Sequence, residues 1–221
     1  MTEVVHVTAP PAPGVVLQAV RLGDIGAVKM LLQRGADIDG ANSIGDTPLI
    51  VAAMNGCTEI AQLLIDAGAD VDKKNIGGQT PLIMAAWGNN TEVMDVLIKA
   101  GASLDEQDDE GHTALSRAAL FGHKEAVSVL IDSPANHEVG ADMGFSAIDF
   151  AAVGGQLEII QMLKAAPELR RQRAAEKARA EAADEAAADK KRKADEVVAR
   201  RLDGLRELAR HKKITIRKNR L

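Results

Sequence analysis

The chain has 221 residues, 46% of them hydrophobic but only 2% aromatic, with three Phe, one Trp and no Tyr. A core of Ala, Leu, Ile and Val suits closely packed helices better than a β-sandwich, and a single cysteine, Cys57, excludes an internal disulfide and a multi-cysteine metal site. Charge is unevenly spread: residues 1–172 carry 11 Lys/Arg and 23 Asp/Glu, net −12, whereas residues 173–221 carry 16 and 9, net +7, so an acidic body precedes a basic tail.

Residues 1–14 hold three prolines, one acidic residue and no Lys or Arg. They read as a flexible segment without the charged start and apolar run of a signal peptide, and no apolar stretch approaches membrane-spanning length. The expected compartment is intracellular, the cytoplasm first, with no membrane partner.

From residue 15 the chain repeats itself. Gly45, Gly78, Gly111 and Gly144 are 33 residues apart, as are Ala52-Ala53, Ala85-Ala86, Ala118-Ala119 and Ala151-Ala152. Leu31, Leu64, Leu97 and Leu130 keep the same spacing. Within each unit, Thr47 and Thr80 are suited to cap a helix, with Pro48 and Pro81 at its first position, where a missing N–H costs nothing. Gly23, Gly56, Asn89, Gly122 and Gly155 mark the end of that first helix at a place needing left-handed backbone, for which Asn is the best substitute for Gly. A second helix buries Ile60, Leu63 and Leu64 and ends before Gly68. Each such unit leaves an apolar face that only its neighbours can cover.

The 33-residue period with G-x-T-P-L-x-x-A-A, then L-L, then G-A-D resembles the ankyrin-repeat family over residues 15–166. The resemblance implies an all-α solenoid of five helix-turn-helix units, about 15–41, 42–74, 75–107, 108–140 and 141–166, joined by β-hairpin fingers; the composition of 167–221 predicts a charged, helical basic extension. The pattern is broken in places. The usual His after Thr-Pro-Leu is replaced by Ile50, Ile83, Ser116 and Asp149. Pro134 stands where the fourth unit's helix-ending Gly belongs, and its finger reads Asn136-His137-Glu138, which predicts a distorted connection to the fifth unit.

The resemblance further implies partner binding by finger tips and by the exposed face of the first helices. The residue after each Ala-Ala pair is Met54, Trp87, Leu120 or Val153, with Phe121 beside Leu120, while Ile44, Ile76, Met143 and Phe145 lie near finger tips. This apolar strip reads either as a contact surface or as side chains half-buried between helices. The acidic run Asp105 to Glu110 reads either as a landing site for a basic partner or as a solvated face; its spacing lacks the ligand pattern of an EF-hand. The five histidines show no metal-ligand spacing, and His123 reads as structural. Cys57 holds an equivalent place in an earlier unit and reads as a packing residue. No nucleophile triad, phosphate-cradling loop or carboxylate pair is present, so no catalytic residue, cofactor, metal or small-molecule substrate is expected.

Beyond Pro167, which with Glu168 is placed to open a helix, the chain is rich in Ala, Glu, Lys and Arg. Val198, Leu202, Leu205 and Leu208 form a short apolar stripe on a basic helix. The tail reads as a solvated extension, as a docking arm onto a multi-subunit assembly, or as a nucleic-acid contact. Lys190, Lys191, Arg192 and Lys193 fit a short nuclear-localisation pattern, and Lys212, Lys213, Arg217, Lys218 and Arg220 add a second basic cluster. With no aromatic residue in the tail for base stacking, phosphate contact there would be sequence-tolerant and salt-sensitive. The leading expectation is a protein–protein interaction module acting as scaffold, adaptor or assembly subunit. The alternative is a nucleic-acid-associated or ribonucleoprotein component.

Overall fold

A computed structural model describes residues 11–12, 14–133, 146–168, 171–172, 175–176, 178–182, 185 and 187–193. The chain divides into two units, Met1–Pro167 and Glu168–Leu221. Residues 1–10, most of the predicted flexible start, lie outside the described residues, as do the finger at 136–138 and the apolar stripe of the tail.

The first unit is built from helix pairs. Helices α1 (Val15–Arg21) and α2 (Ile25–Gln33) are followed by α3 (Pro48–Met54) with α4 (Thr58–Asp66), and by α5 (Pro81–Trp87) with α6 (Thr91–Lys99). Then come α7 (Ala114–Phe121) with α8 (Lys124–Asp132), and α9 (Ala147–Val153) with further helical residues at 157–168. First helices stack on first helices, from α1 through α3, α5 and α7 to α9, and second helices stack on second helices from α2 to α8.

The local causes are the ones the repeat predicts. The hydroxyls of Thr47 and Thr80 accept the N–H groups of Ile50 and Ile83 at 3.2 and 3.3 Å, with Pro48 and Pro81 opening α3 and α5. Where the family's His is replaced, two solutions appear. Ile50 and Ile83 are buried, whereas Ser116 and Asp149 close reciprocal capping boxes with Thr113 and Ser146. Hydrogen bonds from the Ser146 hydroxyl and N–H hold the Asp149 carboxyl below its ordinary pKa. The first helices end at left-handed backbone, with φ of 69° at Gly56 and 81° at Gly122; Asn89 adopts φ 56° at the same place. Asn89 also turns its side chain to use, since Oδ1 accepts the N–H of Ala126 at 3.2 Å in the next pair.

The core is one continuous cluster along the stack. Ala52, Ala53, Ala85, Ala86, Ala118 and Ala119 are fully buried, which is what allows first helices to pack so closely. Leu64, Leu97 and Leu130 are likewise fully buried and tie the second helices together.

Three observations bear on the expectations above. Among the described residues no strand is assigned, and the fingers are tight turns rather than paired hairpin strands. Their reversal is held by backbone bonds, from the N–H of Asn42, Asn75 and Asp108 to the carbonyls four residues on at 3.0–3.1 Å, and by side chains. The Oδ1 atoms of Asn42, Asn75 and Asp108, 33 residues apart, each accept two backbone N–H groups two and four residues on, at 2.8–3.0 Å. Neighbouring fingers are joined by the N–H of Ile76 donating to the Ile44 carbonyl at 3.0 Å and that of Asp109 to the Gly77 carbonyl at 3.1 Å. Second, α8 ends differently from α4 and α6, whose caps stay helical. Its cap, Ser133, is extended (ψ 161°), because the ring of Pro134 disfavours helical backbone in the residue before it. Third, Pro167 does not open a helix. It lies within the helical run 157–168, where its missing N–H leaves the carbonyl of Leu163 without that bond. Burial of Ile159, Leu163 and Ala166 carries the helix through it.

In the second unit the described residues of 171–193 are helical, and no described helix anywhere is long and apolar enough to cross a membrane.

Candidate interaction surface

The first helices and fingers set out the predicted strip. Trp87 ends α5 and Phe121 ends α7; they are 44% and 47% exposed, with ring centroids 6.3 Å apart and planes tilted by 51°. Met54 is also exposed, and Leu120 is half-buried. Val153 at the end of α9 and the finger-tip residues Ile44 and Ile76 are more exposed still. Phe145 lies outside the described residues.

Trp87 and Phe121 share a cleft. It is half-open, of about 290 Å³, and lined by Gln79, Ile83, Met84, Trp87, Arg117 and Phe121. Ile44 and Ile76 form a second, local pair through their backbone bond. The positions of Gln79, Met84 and Arg117 escaped the sequence reading, and Ile83 entered it only as a replacement for the family's His. One signal was available: Arg117 stands 33 residues on from Met84 and 33 before Phe150, so it interrupts an apolar series.

His123 contacts the Trp87 backbone and the Phe121 ring. Its Nε2 donates to the Trp87 carbonyl at 2.9 Å, and its ring lies over Phe121 with centroids 6.2 Å apart and planes 23° from parallel. Asn90 performs the same service one unit earlier, donating to the carbonyls of Ala53 and Met54 at 2.8 and 2.9 Å. Cys57 caps α4 without a side-chain hydrogen bond to the helix.

The acidic run is not a uniform exposed patch. The Asp108 side chain is only 1% exposed, and its Oδ2 accepts Nε and a terminal N–H of Arg117 at 3.1 and 2.6 Å. The same guanidinium reaches Glu110 at 2.9 Å, and Lys74 pairs with Glu106 at 2.7 Å. Burial pushes the Asp108 pKa up, but the hydrogen bonds from Arg117 and the His112 N–H, together with their charges, hold it below the ordinary carboxylate value. His112 packs its ring on Phe150 at 4.6 Å. Among the described residues no group of three or more His, Cys, Asp or Glu could hold a metal ion.

The helix pairs, the threonine caps and the left-handed helix ends recur in one register, and the family model for ankyrin repeats (3 copies) matches residues 16–108 and 89–172. The chain belongs to the ankyrin-repeat family. Ankyrin repeats are protein–protein interaction modules that bind protein partners. No curated protein matches the chain.

On this ankyrin-repeat chain the basic cluster of the tail is partly engaged. Lys190, Lys191, Arg192 and Lys193 are exposed, but Arg192 and Lys193 pair with Asp189 at 2.6 and 2.7 Å. Lys212, Lys213, Arg217, Lys218 and Arg220 lie outside the described residues.

Proposed function

We propose that this ankyrin-repeat chain is a scaffold, adaptor or assembly subunit that holds a protein partner on the face carrying Trp87 and Phe121, with the basic tail as a docking arm. The observation that carries the reading is the cleft between two half-exposed aromatic rings, with His123 bonded to the Trp87 backbone and stacked on Phe121. Leaving two such rings exposed to water forgoes burial that packing would otherwise provide, and rigid aromatic anchors of this kind dominate protein interfaces. Met54, Leu120, Val153, Ile44 and Ile76 extend the proposed surface from the cleft towards the neighbouring units.

The test is capture of partners from native lysate by the full chain, by its Trp87→Ala variant and by a chain ending at Pro167, at low and high salt. Trp87→Ala should weaken retention by at least about 2 kcal/mol, roughly 30-fold in Kd. A fall in melting temperature with unchanged retention would assign Trp87 to packing alone. Loss of the partner only on removal of the tail, with sensitivity to nuclease and salt, would assign binding to nucleic acid at the basic clusters.

A further inference from the structure

We infer that the Trp87–Phe121 cleft takes one apolar side chain of a partner segment that carries a Lys or Arg beside it, the cation resting on Asp109 and Glu110. The inference rests on the reading of this face as the recognition surface and specifies what the surface selects.

The walls decide the apolar half. Ile83, Met84, Trp87 and Phe121 offer two rings, a branched chain and a thioether, and the thioether of Met84 can adapt to an inserted group. His123 anchors the Trp87 backbone and stacks on the Phe121 ring, which reduces the ordering left to be done when the cleft fills.

The rim decides the charged half. Arg117 at the polar end of the cleft would seem the hook for a partner carboxylate, yet its guanidinium is already engaged by Asp108 and Glu110 and its side chain is only 14% exposed. A partner carboxylate would have to displace Glu110 and then face Asp108 and Asp109. The finger beside Arg117 thus carries three consecutive carboxylates, Asp108 to Glu110, against that one guanidinium, and Asp109 and Glu110 are both exposed. The lysines of the adjoining elements do not offset them, since Lys74 pairs with Glu106 and Lys124 with Glu158. The surrounding body has the same sign, net −12 over residues 1–172. A basic segment is therefore drawn to this edge and an acidic one repelled, which sets partner choice and association rate more than final tightness.

Trp87 is the only tryptophan of the chain, so its emission reports occupancy of the cleft in the unmodified protein. The probes are three short capped peptides: one with a central Leu flanked by Lys, one with Glu in place of each Lys, and one with Ala in place of the Leu. Titrated into the full-length protein at low salt, the Lys-flanked Leu peptide should shift Trp87 emission saturably. It should bind about tenfold tighter than either of the others, with its advantage over the Glu peptide shrinking at high salt. Asp109→Lys, an exposed position, should reverse the preference between the Lys and Glu peptides. Equal binding of these two peptides, or a preference untouched by Asp109→Lys, overturns the inference while leaving the cleft as a binding site. An emission change that follows protein concentration and ignores peptide would point to a second copy of the chain and also overturns it. Should no peptide move the emission, the inference fails; retention of a lysate partner that still depends on Phe121 would show that the broader reading survives.

Discussion

Replacing Arg117 by alanine is expected to destabilise the repeat stack by about 3 kcal/mol at neutral pH, because it leaves the Asp108 carboxylate buried without its partner. The Asp108 side chain is 1% exposed and anchors its finger turn through the N–H groups of Glu110 and His112, so it cannot simply swing into water. The effect carries a pH signature. In the intact protein the folded-state pKa of Asp108 is depressed, so its contribution is complete above the unfolded value of about 3.9 and is lost as pH falls through the lower folded value. Without Arg117 the upward push of burial is less opposed, and the folded carboxyl protonates more readily than in the intact protein. The gap between the two proteins in urea or thermal melts should therefore be widest near neutrality and narrow below about pH 4. A gap that stays constant from neutral to acid pH would mean that Arg117 stabilises by packing alone.

Leu97→Ala is expected to cost about 3 kcal/mol, lowering the melting temperature by roughly 6–12 °C. Leu97 is fully buried on α6, between the second helices of the pairs on either side, and each pair in a stack relies on its neighbours for the burial of its apolar face. A cavity there weakens two interfaces at once. Val153→Ala makes the control: it removes two methyl groups from a side chain 77% exposed and should change stability by less than about 0.5 kcal/mol. Comparable losses for Leu97→Ala and Val153→Ala would contradict the assignment of core and surface.

The fold was legible because its requirements recur. A left-handed helix end asks for Gly or Asn, close helix packing asks for Ala, and each request returns after 33 residues at Gly56, Asn89 and Gly122 or at Ala52, Ala85 and Ala118. Trp87 and Phe121 were legible for the same reason, as large apolar residues at the end of a helix face that the period leaves uncovered. Features that depend on three-dimensional pairing were harder to see. Read along the chain, Asp105 to Glu110 is one acidic run; in space Asp108 turns inward to the finger and to Arg117, nine residues away in sequence. Its register with Asn42 and Asn75 was the available clue to that role. Pro167 misled because its preference for a helix start is local, whereas the burial of Ile159, Leu163 and Ala166 that carries the helix through it is tertiary. The fingers were expected as β-hairpins because the family resemblance implies them, whereas the side-chain bonds from Asn42, Asn75 and Asp108 depend on three-dimensional placement.

The central claim, that the face of first helices and finger tips is the recognition surface, is tested most directly by amide hydrogen exchange of the full-length protein with and without a captured partner. Protection is predicted at the Trp87 and Phe121 ends of α5 and α7 and at the finger turns around Ile44, Ile76 and Asp109. Protection confined to the second helices α4, α6 and α8, or to the basic tail from Lys190 onward, would contradict it.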